Sequence, residues 1–549
     1  MSTSQMPPVG CYRLMRGVTI GEDENGGIVA LCGYPLRVVR LNVTTARLLS
    51  LCTEGRTGEQ LAALMNMSIK RVQALCDQLR GKSLLEVGST PSPAVWPNVS
   101  IIIPSYNRVK ELERCLRSLF DLNYPLHLLE ILVIDDASTD ETCTMLQRLT
   151  REATTRGLAL RTVHHDKKQG VAISRNIGAE AATYELIAYI DSDCVASVNW
   201  LMELVPAFQD DRTAAVGGMI RAYECNTLLG RYEDVCSSLY MGERPQQVCL
   251  GGALTYLPTA NMLIRRTMWQ QLGGFASLTQ GEDVDLCRRL LLTGAHIHYV
   301  PQGIVYHDYR TTMGAFLRIR AAYATAEAVL LQRHPTERRI LVLPPEQATF
   351  AGLMIGGGWA ALGALWQWMV GRPRQQGDHK GSPLLYPLSP HKRRSIGAIP
   401  CGRPAWGGNG VVGVLLLFTA LFVTLFGTRK RLQKVRQQRV RVGAVEVFKA
   451  TLRGHLAYTY HLCRHLTRYY TLPLLLVGVL LPPLILVIVI LIGIVVIVDY
   501  TRLKPNMNLG QYAFCTILDD CAYEVGVVRG CVKHRTWKPL LPLIKKRMQ

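Results

Sequence analysis

The chain contains no Cys-x-x-Cys pair, although it has 16 cysteines among 549 residues. Scattered singly, they supply neither the paired ligands of a zinc ribbon nor a disulfide framework. They read as buried thiols in a reducing compartment. The N-terminal stretch MSTSQMPPVGCYRLMRG has no apolar core, so no secretory signal peptide is expected. Charge is also sparse, at 19% of residues against 48% hydrophobic. That balance excludes a wholly disordered chain. With a mean hydropathy of +0.13, it fits a soluble body with membrane helices attached.

Acidic residues are nearly missing from one part of the chain. Residues 1–340 hold 35 Lys+Arg and 34 Asp+Glu, whereas residues 341–549 hold 27 basic and only 7 acidic residues. Almost the whole net charge of +21 therefore lies among the long apolar runs. Basic clusters beside apolar spans attract anionic lipid headgroups. A nucleic-acid binder would carry its excess on the folded domains, which are balanced here, so membrane lipids and not nucleic acid are the expected partner.

The length suggests three or four units. Residues 1–90 form the first. Short strands at 27–31 and 36–41 flank a turn at Gly33-Tyr34-Pro35, and helices follow at 46–52, 57–65 and 68–79. Asn42 and Thr44 are cap candidates, Gly81 ends the third helix, and 83–87 closes as a strand: a winged-helix pattern. Residues 91–97 are a linker, in a stretch that holds Pro91, Pro93 and Pro97. Residues 98–340 alternate strands (99–103, 130–134, 160–164, 186–190) with helices (109–120, 139–152, 171–182). Such alternation predicts an α/β domain with parallel strands, helices on both faces and ligands at the carboxyl ends of the strands.

Residues 341–549 form a membrane-attached region with apolar spans near 349–370, 411–426 and 472–498 and a basic tail. The third run has 27 residues without a charge and is expected to be one transmembrane helix, kinked at Pro482-Pro483. Basic residues number 7 in 371–410, 11 in 428–470 and 9 in 499–549. Three spans would place 428–470 on the side of the folded body, as the positive-inside rule prefers.

Four polar clusters fall where strands should end: Pro104-Ser105-Tyr106-Asn107, Asp135-Asp136-Ala137-Ser138, Gly170 to Asn176, and Asp191-Ser192-Asp193. One such end is ordinarily a turn or a cap. Four on one sheet point to a binding site. Asp191 and Asp193 repel each other unless a cation joins them, and a divalent ion with oxygen ligands does so while holding a diphosphate. Arg175 and Asn176, near a helix start, suit phosphate or ribose.

The segments SIIIPSYNR, VIDDAST, GVAISRNIGA, IAYIDSDC and GEDVDL resemble, in order and spacing, the motifs of family 2 glycosyltransferases over residues 98–310. The resemblance implies a glycosyltransferase A fold, a Rossmann-like mixed sheet with helices on both faces, and inversion at the transferred sugar. It implies that Pro104, Tyr106, Asn107, Asp135 and Asp136 line the nucleoside pocket, and that Asp191 and Asp193 hold Mg²⁺ or Mn²⁺ on the diphosphate. Asp283 takes the place of the general base, with Glu282 beside it in the substrate site. Departure of a nucleoside diphosphate needs its charge neutralised, and the acceptor hydroxyl needs a base, so these roles are chemically coherent. Glu282, Asp283 and Asp285 crowd negative charge, which would raise the pKa of the base; the same run also reads as the acidic first turn of a helix. His307 stands either as a third metal ligand or as a structural histidine. The Gln-x-x-Arg-Trp motif of processive polysaccharide synthases is missing, which disfavours a long-chain polymerase.

IVALCGYPLRVVRLNVTTARLLSL followed by LLEV resembles the peptide-binding winged-helix domain of the PqqD type. Together with SSLYMGERPQQV, YLPTANMLI and ILDDCAYEVGVVRGCVKHRTWKPLLPLI, it makes the whole chain similar to the mycofactocin-system glycosyltransferases. That family implies β-linked glucose transfer from a nucleotide-diphosphate sugar, UDP-glucose, to a peptide-derived redox cofactor or its precursor. The apolar spans, the positive-inside preference and the missing signal peptide lead us to expect a cell-membrane protein with its catalytic domain facing the cytoplasm. A transferase acting on a lipid or polysaccharide acceptor is the enzymatic alternative. The non-enzymatic one is a membrane-tethered winged-helix regulator binding DNA, for which Lys70, Arg71 and Arg80 against Asp77 are a thin recognition helix.

Overall fold

The computed structural model describes residues 11–545 apart from 16, 23–25, 34–35, 83, 88–94, 253, 371–407, 438–441 and 482. The expected turn at Tyr34-Pro35, most of the linker and most of the basic insert at 371–410 lie outside the described residues.

In the N-terminal unit the three expected helices form at Val43–Leu51, Gly58–Met65 and Ile69–Gly81. Caps set their starts: Asn42 Oδ1 accepts from Thr45 N–H at 2.8 Å, and Thr57 and Gln60 cap each other reciprocally. The helices bury Leu48, Leu49, Leu61, Val72 and Leu79 against two small antiparallel sheets. Two strands, Cys11–Leu14 and Val18–Glu22, were not anticipated; each is short and partly polar. Strand Leu36–Arg40 pairs with Ile28–Gly33 and is an edge of its sheet. The third helix is turned to the catalytic domain, where Asp77 meets Arg212 at 2.5 Å, so this part of it is engaged in docking.

The central sheet has its strands at Val99–Ser105 (β1), Leu129–Asp135 (β2), Ala159–His164 (β3), Leu186–Ile190 (β4), Cys194–Ala196 (β5), Thr213–Ala222 (β6), Asn261–Arg265 (β7) and His296–His307 (β8). Their spatial order is β5-β8-β6-β7-β4-β1-β2-β3, with the short strand Gln246–Gln247 added beside β8. The four strands predicted to be parallel are so; β7 and β5 run antiparallel to their neighbours and make the sheet mixed. β1 and β2 are buried along their whole length because helices cover both faces. Val109–Phe120 (α1) and Thr142–Thr155 (α2) cover one face; Val171–Ala181 (α3) and Glu282–Leu292 (α4) cover the other.

Beyond the sheet, Met313–Ala324 (α5) and Ala326–Arg333 (α6) lead into Pro345–Val370 (α7), Gly408–Gln437 (α8), Ala444–Leu480 (α9), Pro483–Leu503 (α10) and Leu509–Lys533 (α11). α8 and α10 are long and apolar enough to cross a membrane. The third apolar run is not the single kinked helix expected: it is a helical hairpin. α9 ends at Leu480, and α10 runs back along it, with Tyr460 bonded to Asp499 at 2.6 Å and Cys463 packed on Leu491 and Val495. Leu481 precedes a proline and sits at φ −126°, ψ 81°, outside the helical region. Gly478 then lets Ile485 approach so closely that an added Cβ would stand 3.0 Å from it. Pro483 starts the next helix. α7 and α8 are antiparallel too, with Gly357 against Gly413 at one end and Glu346 3.1 Å from Lys430 at the other.

The return of the chain is fastened in two places. Ile340–Val342 pairs in parallel with Leu543–Lys545. α11 lies along α5 with Gly526 and Gly530 against the backbone of Ala321 and Thr325. A Cβ on Gly526 would run into the Ala321 carbonyl oxygen. Gly526→Ala is therefore expected to force α11 off α5 at a cost of about 1–3 kcal/mol, read as a lower melting temperature in detergent together with lost activity.

Candidate active site

The parallel register sets Ser105 beside Asp135 at the carboxyl ends of β1 and β2, and Asp136 N–H bonds Ser105 O at 2.8 Å. A cavity of about 760 Å³ opens there. Nine of the predicted residues line it: Pro104, Tyr106, Asp136, Arg175, Asp191, Asp193, Glu282, Asp283 and His307. The sheet topology thus gathers side chains from both halves of the domain at one edge.

Three predicted residues stand behind the wall instead. Asp135 accepts from Ser138 N–H at 3.1 Å and meets His164 Nδ1 at 2.7 Å. Asn107, with φ +50°, ties the loop after β1 to the next one through Ser138 Oγ and Thr139 N–H. Asn176 exchanges two hydrogen bonds with the backbone of Phe275, at 2.8 and 2.9 Å, and so braces a loop rather than binding phosphate or ribose. Asp136 does part of the same work. Burial pushes its carboxyl up, but Gln169 N–H, His165 and Gly170 N–H outweigh that and hold it below the usual range.

The acidic turn between β4 and β5 is closed by Cys194 N–H on Asp191 O at 3.0 Å. Pairing of β5 with β8 sets Cys194 opposite His307, which brings His307 Nε2 to 3.6 Å from Asp193 Oδ1. Arg108 binds the other oxygen of Asp193. Arg175, on α3, is buried and reaches Asp191 at 2.8 Å and Glu282 at 2.6 Å. It joins two carboxylates at the cavity wall. Burial would lower its pKa, but Asp191 and Glu282 hold it charged.

Asp283 lies in the first turn of α4, where its Oδ1 accepts from Val284 N–H at 2.7 Å. Burial, then the neighbouring charge of Glu282, push its carboxyl up to about 7. Asp285 contributes nothing to this crowding. It is fully buried and matched by Arg289, Arg333 and His334 at 2.8, 2.8 and 2.9 Å. The cavity thus gathers a carboxyl group whose pKa is pushed up to about 7, two further carboxylates each held by an arginine, and Tyr106. Such a set suits transfer from a phosphorylated donor to a hydroxyl.

Residues 100–273 match the family model for Glycosyl transferase family 2. The chain carries a family 2 glycosyltransferase domain. Its mixed sheet is the glycosyltransferase A fold. The pre-mycofactocin glycosyltransferase of Mycobacterium tuberculosis is 29% identical over 345 residues, which is 62% of this chain and 67% of that protein. The glycosyltransferase AglE of Haloferax volcanii is 28% identical over 217 residues, covering 39% of this chain and 68% of that one. Among solved structures, a mannosyltransferase from Pyrobaculum calidifontis in complex with GDP-Man and Mn²⁺ is 22% identical, with a TM-score of 0.37 over 45% of this chain and 67% of that chain.

The glycosyltransferase cavity also contains residues that the motifs did not single out. Arg108 closes the SYNR segment and was passed over for its neighbours. Lys168 stands 3.6 Å above the ring of Tyr106. Arg468 and Tyr523 come from α9 and α11, in a region read only as membrane attachment.

Because Asp283 accepts a proton only when ionised, transfer should rise with pH to a plateau above an apparent pKa near 7 and fall about tenfold per unit below it. Asp283→Asn should retain donor binding, lose transfer by roughly 10²–10⁴-fold and abolish that acid limb. A pH–rate profile of both proteins checks this.

Proposed function

We propose that this glycosyltransferase moves a hexosyl unit, glucose from UDP-glucose, with inversion, onto a mycofactocin-type peptide-derived redox cofactor or its precursor. The observation that carries the acceptor class is the length of the resemblance to the mycobacterial pre-mycofactocin enzyme: 345 residues align, against the 174 of the family domain.

The donor half of the cavity fits a divalent cation. Asp191, Asp193 and His307 all line it, His307 Nε2 stands 3.6 Å from Asp193, and His307 Nδ1 is buried without a hydrogen-bond partner among the described residues. Cys194, compactly grouped with Asp193 and His307, belongs to the apolar core, and burial drives its thiol pKa far up. What remains is an oxygen and nitrogen donor set suited to Mg²⁺ or Mn²⁺. Asp191, Asp193 and His307 would hold the ion, and its chemistry is neutralisation of the leaving diphosphate. Arg108, now on Asp193, is placed to turn to that diphosphate, while Arg175 keeps Asp191 and Glu282 in register. Asp283 takes the proton of the acceptor hydroxyl.

The N-terminal domain, residues 1–90, serves in this reading as a PqqD-like peptide-recognition module. Its Leu36–Arg40 edge can take an extended peptide as an added strand. α8 and α10 attach the enzyme to membrane lipids. Antiparallel helix pairs return the chain to the catalytic domain, and the basic residues just after the apolar part of α8 favour the cytoplasmic side for it.

Two experiments test the reading. Purified enzyme given UDP-glucose and pre-mycofactocin should yield a product heavier by one hexose in mass spectrometry; an unmodified acceptor with every nucleotide sugar tried would refute it. Asp193→Asn, or chelation of the wild type, should lower transfer at least a hundredfold. Full turnover after exhaustive chelation would remove the metal from the scheme.

A further inference from the structure

The C-terminal helices build one wall of the catalytic cavity. Glu327, the second residue of α6, lines it together with Arg468 of α9 and Tyr523 of α11. α6 lies against the start of α4: a Cβ on Gly281 would stand 3.0 Å from the Cβ of Ala326. Glu327, the next residue, lines the same cavity as Glu282 and Asp283.

Its carboxylate is held with unusual care. Oε1 accepts the phenolic hydroxyl of Tyr469 at 2.6 Å and that of Tyr523 in a still shorter contact. The two rings meet edge to face with centroids 5.8 Å apart. A guanidinium covers each of them, Arg339 at 3.4 Å from the Tyr469 centroid and Arg468 at 3.7 Å from that of Tyr523. Arg468 is itself fixed by Asp520 at 2.9 Å. Three helices thus orient a single oxygen, yet no arginine or lysine among the described residues forms an ion pair with Glu327. The second oxygen, Oε2, has no hydrogen-bond partner among the described residues. An oriented carboxylate with one free oxygen, in the cavity that also holds Asp283, is an acceptor for a ligand O–H or N–H.

We propose that Glu327 binds the acceptor substrate: Oε2 takes a hydrogen bond from a hydroxyl or amide N–H adjoining the hydroxyl that Asp283 deprotonates, and Tyr469 and Tyr523 are its positioning residues. The inference rests on the glycosyltransferase reading above and deepens it by naming the acceptor's chemistry. Of the arginines at this wall, Arg320 is matched by Glu233 at 2.8 Å and Arg468 by Asp520. Asp283 and Glu327 have no ion-pair partner among the described residues, so this part of the cavity suits a neutral, hydroxyl- or amide-bearing acceptor.

The test uses the full chain in detergent with UDP-glucose as donor and pre-mycofactocin as acceptor. Glu327→Gln keeps an oxygen for the tyrosines and removes the charge; Glu327→Ala removes both. The acceptor KM should rise about tenfold or more in Gln and further in Ala, the size of one charge-assisted hydrogen bond, with donor KM within about twofold and an unchanged melting temperature. Tyr523→Phe should raise the acceptor KM less. Acceptor KM within twofold of wild type in both Glu327 variants overturns the proposal. So does a parallel rise in both KM values with a lowered melting temperature, which marks a merely structural residue. Wild-type enzyme that transfers no sugar overturns the proposed function and this inference together, whereas normal wild-type transfer with unmoved variants overturns this inference alone.

Discussion

The guanidinium of Arg175 is buried between two carboxylates from distant parts of the chain, Asp191 at 2.8 Å in the turn after β4 and Glu282 at 2.6 Å at the start of α4. Buried charges of this kind are costly unless every partner is in place, and removing one leaves about 3–5 kcal/mol uncompensated. The turn after β4 and the start of α4 are therefore not free to drift apart. α3 carries Arg175 into position because Gly178 packs without a side chain against Ile102 and Ile134, the two strands whose ends form the nucleoside side. One ion-pair cluster thus keeps three elements in register around the cavity.

The same cluster sets the electrostatics. Asp191, Glu282 and Asp283 are three carboxylates served by one guanidinium. Arg175 engages the first two, so Asp283 remains as the carboxylate without an ion-pair partner among the described residues. Its raised pKa is what that leftover position produces, burial first and Glu282 second. Asp193 has the opposite fate, since His307 and Arg108 outweigh its burial and hold it ionised. Which carboxylate stays ionised and which is pushed up follows from which one each arginine reaches.

Much of this was legible in the sequence, and the limits are physical. Apolar runs such as IIIPS and ILVID announce strands covered on both faces, and their polar ends mark the cavity. Motif spacing distinguishes strand ends from helix interiors, but not side chains facing the cavity from those one layer behind. Asp135 and Asp136 are adjacent in sequence, yet only the second lines the cavity. The meeting of His307 with Asp193 depends on the pairing of β5 with β8, a register no local pattern encodes. The hairpin of α9 and α10 was hidden because hydropathy measures apolarity and not direction. Glu327, Tyr469 and Tyr523 carry no local signature, since their meaning comes from the packing of three helices.

The short parallel pairing of Ile340–Val342 with Leu543–Lys545 joins the two ends of the helical region. A ribosome delivers the first of these strands long before the second. Between them it must release α7 to α10, of which α8 and α10 are long and apolar enough to cross a membrane, and then α11 with Tyr523. The sheet side of the cavity can thus fold early, while the wall lined by Glu327, Arg468 and Tyr523 closes only after the helices are packed. A chain assembled in that order holds no complete cavity until nearly all of it has been made.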